Sequence, residues 1–357
     1  MRNLINAVKG LIKLPTVSID NVFFRLHYQF TVIILIAFSL LVTSRQYFGK
    51  LIDCHFPDYP YGSLNDFCSV QPTYLEVIGT THDVISPISP HQVRTSNQQR
   101  EIKYYGYYQW VFIVLFIQAV FFSIPQYIWK VCEGGKMKTL AHDLTSPFLS
   151  KECITEKVDH LMDYFFMQLH AQNSYAYKYF GCELLNFVNV VAQICFMNAF
   201  IGEDFLLYGI YVTFFNQEAA HPNMTNPMKR VFPTITRCTF HKYGPSGSLE
   251  NYEGLCILPE NVVNEKIYIF LWFWFYVLAI ISGIVVLYRI ALLASPALRL
   301  YMFRKTCLMN FPDDVQLVHE QLQIGDWLLV HGLWKNTNPM IYKELITRIA
   351  HRIRFDV

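Results

Sequence analysis

Charge is what this chain has least of. Lys, Arg, Asp and Glu make up 16% of its 357 residues, against about one quarter in soluble globular domains. The balance is close to neutral, at +2, so there is no basic field to draw nucleic acid. Signatures of chemistry are missing as well. Glu133-Gly134-Gly135-Lys136 ends like a phosphate-binding loop, but Lys130 stands where the leading glycine belongs. Cys238 and His241 have the spacing of half a metal site, with no second half at ligand spacing; a disulfide cysteine beside a structural histidine accounts for them. No Ser, His and Asp fall in a recognisable nucleophile context. These gaps argue against an enzyme and call for no metal or cofactor. No cleavable leader is expected either, because apolar density begins only near Leu26 and no small-residue cleavage site follows. Internal repeats and low-complexity tracts are absent too.

Charge is missing in blocks. Arg25 and Arg45 bracket 19 uncharged residues, Lys103 and Lys130 bracket 26, Leu184 to Gly202 is another 19, and Lys266 and Arg289 bracket 22. Each is long enough to cross a hydrocarbon core as helix, which takes about 20 apolar residues. The expected fold is an all-α membrane protein: a four-transmembrane-helix bundle with two disulfide-stapled extracellular loops and a helical cytoplasmic domain. Its segments are an N-terminal helix at 1–21, spans at 22–43, 107–129, 179–202 and 267–290, outer loops at 44–106 and 203–266, a helical inner loop at 130–178 and a helical tail at 291–357.

Cysteines orient this plan. Cys54 and Cys68 lie in the first connecting segment and Cys238 and Cys256 in the third. Four spans put those two segments on one side, which is then the oxidising one. Four cysteines leave three pairings open. Basic residues agree with the orientation: 19 Lys and Arg fall in the segments assigned to the cytoplasm and 10 in the outer ones. Cys132, Cys153, Cys182, Cys195 and Cys307 read as free thiols.

Local patterns fill in the rest. Leu4, Ile5, Val8, Leu11 and Ile12 make a short basic amphipathic helix plausible before Pro15. Pro125 should kink the second span near its inner end. Ile154, Val158, Leu161, Met162, Phe165, Phe166 and Leu169 recur at helical spacing, giving a wide apolar face that needs a partner. The tail helices are the natural partner; Asp326 reads as one N-cap, and Asn338 before Pro339 as another. In span three, Glu183, Asn186, Asn189 and Gln193 form one polar stripe, read either as interhelical hydrogen bonding or as a water-facing surface. No span holds the buried acid–base pairs of an ion-coupled transporter, and Glu183, near the inner end, reads as paired with a nearby Lys or Arg. Asn223-Met224-Thr225 is a glycosylation sequon in the second outer loop.

Longer stretches resemble one family. Tyr107-Tyr108-Gln109-Trp110-Val111 at the mouth of span two is similar to the signature of innexins, the invertebrate gap-junction proteins. SIDNVFFRLHYQFTVIILIAFSLLVTSRQYFG, Glu133-Gly134-Gly135, CTFHKYGPSGS from Cys238, CILPENVVNEKIYIFLWFWF from Cys256, and IGDWLL with NPMIYKE in the tail extend the likeness over the whole chain. It is strongest to insect members, encoded by an insect or an insect virus. The resemblance implies a subunit of a large-pore channel, in rings of eight made of one or several innexins, with membrane lipids around it and a docking hemichannel on an apposed cell. It also implies loop-to-loop bridges, Cys54 with Cys256 and Cys68 with Cys238. The N-terminal segment would fold into the pore funnel, making Arg2, Lys9, Lys13 and Asp20 pore-lining candidates. Two features depart from the family or bear on docking: Ser69 stands where innexins carry Trp, and the sequon at Asn223 would place a glycan on a docking face. The rival reading from another class is a non-conducting four-span adhesion or scaffold protein.

Overall fold

The structure is a computed structural model that describes residues 17–57, 64–78, 83–84, 100–141, 144, 151–202, 205–217 and 227–356. In chain order it contains α1 (Val22–Arg25), a π-helical segment (Leu26–Thr31), α2 (Val32–Phe48), β1 (Asp53–His55), α3 (Leu64–Val70), β2 (Thr73–Ile78), β3 (Asp83–Val84) and β4 (Arg100–Tyr105). There follow α4 (Val111–Glu133), α5 (Lys136–Leu140), α6 (Lys151–Met167), α7 (Asn173–Ile201), α8 (Tyr208–Gln217), α9 (Pro227–Val231), β5 (Ile235–Tyr243) and β6 (Leu249–Ile257). The chain ends with α10 (Pro259–Ala294), α11 (Pro296–Thr306), α12 (Pro312–Gln321), α13 (Ile324–Asn336) and α14 (Pro339–Asp356).

Among the described residues, four helices are long and apolar enough to cross a membrane: Val22–Phe48, Val111–Glu133, Asn173–Ile201 and Pro259–Ala294. They outrun the uncharged stretches at several ends. Missing charge marks only what lipid requires, whereas a helix continues for as long as its backbone is satisfied. Pro259 opens α10 at a position whose missing N–H costs nothing. Pro125 lies inside a continuous α4. The chain divides into two compact units, residues 1–32, 121–189 and 278–357 in one and 33–120 and 190–277 in the other, so each long helix contributes to both.

The first, helical unit is built around one apolar core. Val158, Leu161, Met162 and Phe165 of α6, Trp327, Leu329 and Leu333 of α13, and Ile346, Ile349 and Ile353 of α14 are all buried in it. The stripe of α6 thus finds its partner in the tail, and burying each such side chain is worth about 1.5–3 kcal/mol. At the rim, Arg348 reaches Asp159 at 2.6 Å and Arg352 reaches Asp163 at 2.9 Å. Asn338 caps α14 through Met340 N–H, at 3.0 Å. The cap of α13 differs from the sequence expectation. Gln323 is the N-cap, and Asp326 is the third helical residue, whose carboxylate reaches back to the Gln323 N–H in a capping box. Asp326 also accepts from the His170 N–H at 3.2 Å. Gly325 must be glycine: a Cβ there would lie 2.1 Å from the backbone carbonyl carbon of Gln172.

The second unit adds what helical periodicity does not announce, an antiparallel sheet of order β1-β6-β5-β2-β3, with β4 also on β2. Its longest pairing is the β5–β6 hairpin, Ile235 to Tyr243 against Leu249 to Ile257. Beneath it, Phe232 stacks with Tyr268 at 5.3 Å and meets Tyr107 edge-on at 5.7 Å. Trp272 donates its indole N–H to the Phe205 carbonyl at 3.0 Å and leaves no room for a side chain at Gly209.

Candidate functional site

Two constellations gather the chemistry-bearing residues, one in each unit. In the sheet unit, Cys54 and Cys256 are register partners on β1 and β6 and are joined by a disulfide. Cys68 of α3 is bonded to Cys238 of β5. The sulfurs of Cys54, Cys68 and Cys256 lie within 4.8 Å of one another, so the two bridges form one knot; bonded sulfurs are not thiolate ligands for a metal. His241 points to Asn251 across the hairpin, at 2.7 Å.

The five-residue signature serves this knot. Residues 107–109 form a 3₁₀ turn before α4, because their side chains are committed sideways. Tyr107 donates to the Val231 carbonyl at 3.0 Å, Tyr108 to the Gln71 carbonyl at 3.5 Å, and Gln109 to the Ser69 carbonyl. Tyr107, Tyr108 and Val111 are buried and Trp110 is exposed. The signature therefore clamps the start of a membrane helix to the residue beside Cys68 and to the approach to β5. Ser69 keeps that bond, because the contact is to its main chain.

In the helical unit a polar network joins the start of α1 to α7 and α10. Arg289 grips Glu183 through two nitrogens, at 2.6 and 2.9 Å, and Asn21 donates to the same carboxylate at 2.7 Å. Asn21 also caps α1 through Phe24 N–H. Asp20, 7% exposed, accepts from Arg25 at 2.9 Å and from the Tyr28 hydroxyl at 2.7 Å. Deeper in, His27 of the π-helical segment pairs with Ser282 at 2.7 Å, and Ser282 donates to the Leu278 carbonyl. Asn189 reaches the Phe121 carbonyl at 3.4 Å. Within the polar stripe, then, Glu183 and Asn189 bond to neighbouring helices, and Asn186 and Gln193 are buried. The Asp20-Asn21 pair ahead of an apolar run is a helix-start signature, a signal that sequence reading had available for the cap but not for its bond to Glu183. Arg2, Lys9, Lys13 and Asn223 lie outside the described residues.

The innexin family model matches residues 20–353. The chain belongs to the innexin family. It is 47% identical to Innexin inx2 of Drosophila melanogaster, over all of this chain and 97% of that protein. It is 46% identical to Innexin inx2 of Schistocerca americana over 99% of this chain and 98% of the relative, and 38% identical to Innexin shaking-B of Drosophila melanogaster over 99% and 95%. Innexins are gap-junction channel proteins, so this chain is a multi-pass channel subunit rather than a non-conducting scaffold, and the family acts as oligomers. One constellation locks the strands of the sheet unit with two disulfides, and the other ties α1, α7 and α10 together.

Proposed function

We propose that this innexin forms a ring of eight subunits, with both termini in the cytoplasm and the sheet unit outside, and that two rings on apposed cells dock through that unit to pass ions and small metabolites. The observation that carries the orientation is the pair of bonds between the first and third connecting segments. Segments so joined share one side of the membrane, and bonded cysteines belong to an oxidising compartment. The excess of basic residues in the other segments agrees. Four helices enclose no wide aqueous pore, so conduction requires several copies around an axis. Paired-cell recording tests the reading: coupling between two expressing cells identifies a junction, whereas dye uptake by a single expressing cell without coupling identifies a hemichannel. Dye uptake without coupling would remove the docking part of the proposal, and the absence of both signals would overturn the channel reading.

Arg2, Lys9 and Lys13 supply the charge of the proposed funnel, since Asp20 and Arg25 neutralise each other. A ring of such charge favours anions mildly, because screening acts over about 8 Å at physiological salt. Reversal potentials in a salt gradient should move toward cations in Lys9→Glu with Lys13→Glu, and an unchanged potential places the segment outside the conduction path. A glycan on Asn223 would bias the protein toward hemichannels. Asn223→Gln with no gel shift and no change in coupling would remove that idea.

A further inference from the structure

The polar network of the helical unit opens beside a cavity of about 60 Å³, lined among others by Ser18, Trp129, Tyr179, Arg289, His331 and Lys335. By the same kind of measure one water needs about 10–15 Å³, so the cavity holds several waters or one tetrahedral anion. Its depth is set by the chain. Trp129 ends the uncharged stretch of α4, Tyr179 stands just ahead of that of α7, and Arg289 follows that of α10 directly. Three spans thus bring the ends of their apolar runs to this cavity, at the level where aromatic and basic residues meet lipid headgroups.

Its charges do not balance. Arg25 is matched by Asp20, and Arg289 by Glu183. His331 is pushed down to about 4 by burial and by the cations Lys335 and Arg289, so it is neutral at physiological pH. Lys335 remains, and among the described residues it has no carboxylate within ion-pair distance. It stays open to solvent at the mouth of the cavity. Its amine is drawn below the ordinary lysine range by lost hydration and by Arg289, against the pull of Asp20 and Glu183. An anion entering the cavity would relieve that repulsion and be held by Lys335 and Arg289; the Asp20 carboxylate, also in the lining, is engaged by Arg25 and Tyr28.

We infer that this cavity is a phosphate site where the spans meet the tail helices, filled by the headgroup phosphate of a membrane lipid or by a free phosphate. The inference rests on the four helices crossing the membrane, not on which side the termini face or how many subunits form the ring. Basic pockets between spans take lipid headgroups by this chemistry.

The test uses the full-length channel, purified in detergent, stripped of lipid and re-supplied with phosphatidic acid, with diacylglycerol of the same chains, or with inorganic phosphate. Retention of lipid is read by native mass spectrometry. Protection of Lys335 from acetylation by an amine-reactive reagent is read by peptide mapping. Phosphatidic acid should be retained and should slow acetylation of Lys335 several-fold, and diacylglycerol should do neither. Lys335→Gln should lower retention about tenfold, the scale of one charge-assisted contact, while Lys335→Arg restores it and Lys305→Gln leaves it unchanged. Protection by inorganic phosphate alone, with no lipid retained above the diacylglycerol level, assigns the site to the free anion. Should Lys335→Gln fail to assemble, acetylation of the wild-type channel decides by itself. Equal acetylation of Lys335 with and without both phosphate probes overturns the inference, whatever the lipid retention.

Discussion

The sheet unit and the helical unit are held together by different physics. The sheet unit pairs strands that are distant in sequence, β1 near residue 54 with β6 near residue 256, and closes them with two covalent bonds. The helical unit has no disulfide among its described residues. It relies on a continuous apolar core, on capping groups and on the buried Glu183–Arg289 pair. If the sheet unit docks as proposed, its face gains from being rigid before contact, since ordering it on binding would cost affinity. A helical unit held by packing and polar contacts carries no such covalent constraint among its described residues.

The largest expected effect separates the two units outright. Replacing Cys54 and Cys256 together by Ser should cost the sheet unit about 2–5 kcal/mol. Hydrogen exchange should then speed up through β1, β5 and β6 and stay slow in α6 and α14. Equal loosening of both units would mean that they share one folding transition. In the opposite direction, Arg289→Leu leaves the Glu183 carboxylate buried beside Asn21 alone, and should cost about 3–5 kcal/mol. The double replacement Glu183→Leu with Arg289→Leu should recover much of that loss, because no lone charge is left; thermal unfolding of both variants measures it. Gly325→Ala drives a methyl into the backbone at Gln172 and should lower stability by about 1–3 kcal/mol, the usual range for overpacking, seen as faster exchange in α13.

Acid sharpens the comparison further. His331 has its proton affinity lowered in the folded state, to about 4, from a value near 6.5 in the unfolded chain. Between those values the unfolded state binds more protons, so stability rises with pH and is lost as pH falls from about 6.5 toward 4. Asp326, raised by burial, works the other way: its folded form takes up protons more readily, which offsets part of the loss at the acid end. The helical unit should therefore lose on the order of 2 kcal/mol over this range, and His331→Phe should flatten the profile. The smallest effect belongs to the rim. Arg348→Ala removes exposed contacts to Asp159 and Glu344 and should change the melting of the helical unit by less than about 1 kcal/mol.

The single chain carries a good deal of this in its letters. Runs without charge are a requirement of lipid on each residue separately, so four spans can be counted with no knowledge of their neighbours. Cysteine positions relative to those spans place both pairs on one side. The α6 stripe and the Asn338-Pro339 start of α14 are local, and both are found where the sequence puts them. Other features need the fold. The strands of the connecting segments have little period-2 pattern; β5 and β6 form a local hairpin, but β1 joins β6 from some 200 residues away, so no local window contains the information that makes one sheet of them. Spacing alone leaves three disulfide pairings open; the register of β1 on β6 sets Cys54 opposite Cys256. Asp326 looks like a cap by type, yet Gln323 takes that position because the chain turns into α13 three residues earlier. The partner of Glu183 is the clearest case. A charge on one span shows that a counter-charge is needed, because an unpaired carboxylate is too costly beside lipid. That Arg289 supplies it, with Asn21 alongside, is decided only when α1, α7 and α10 are packed together.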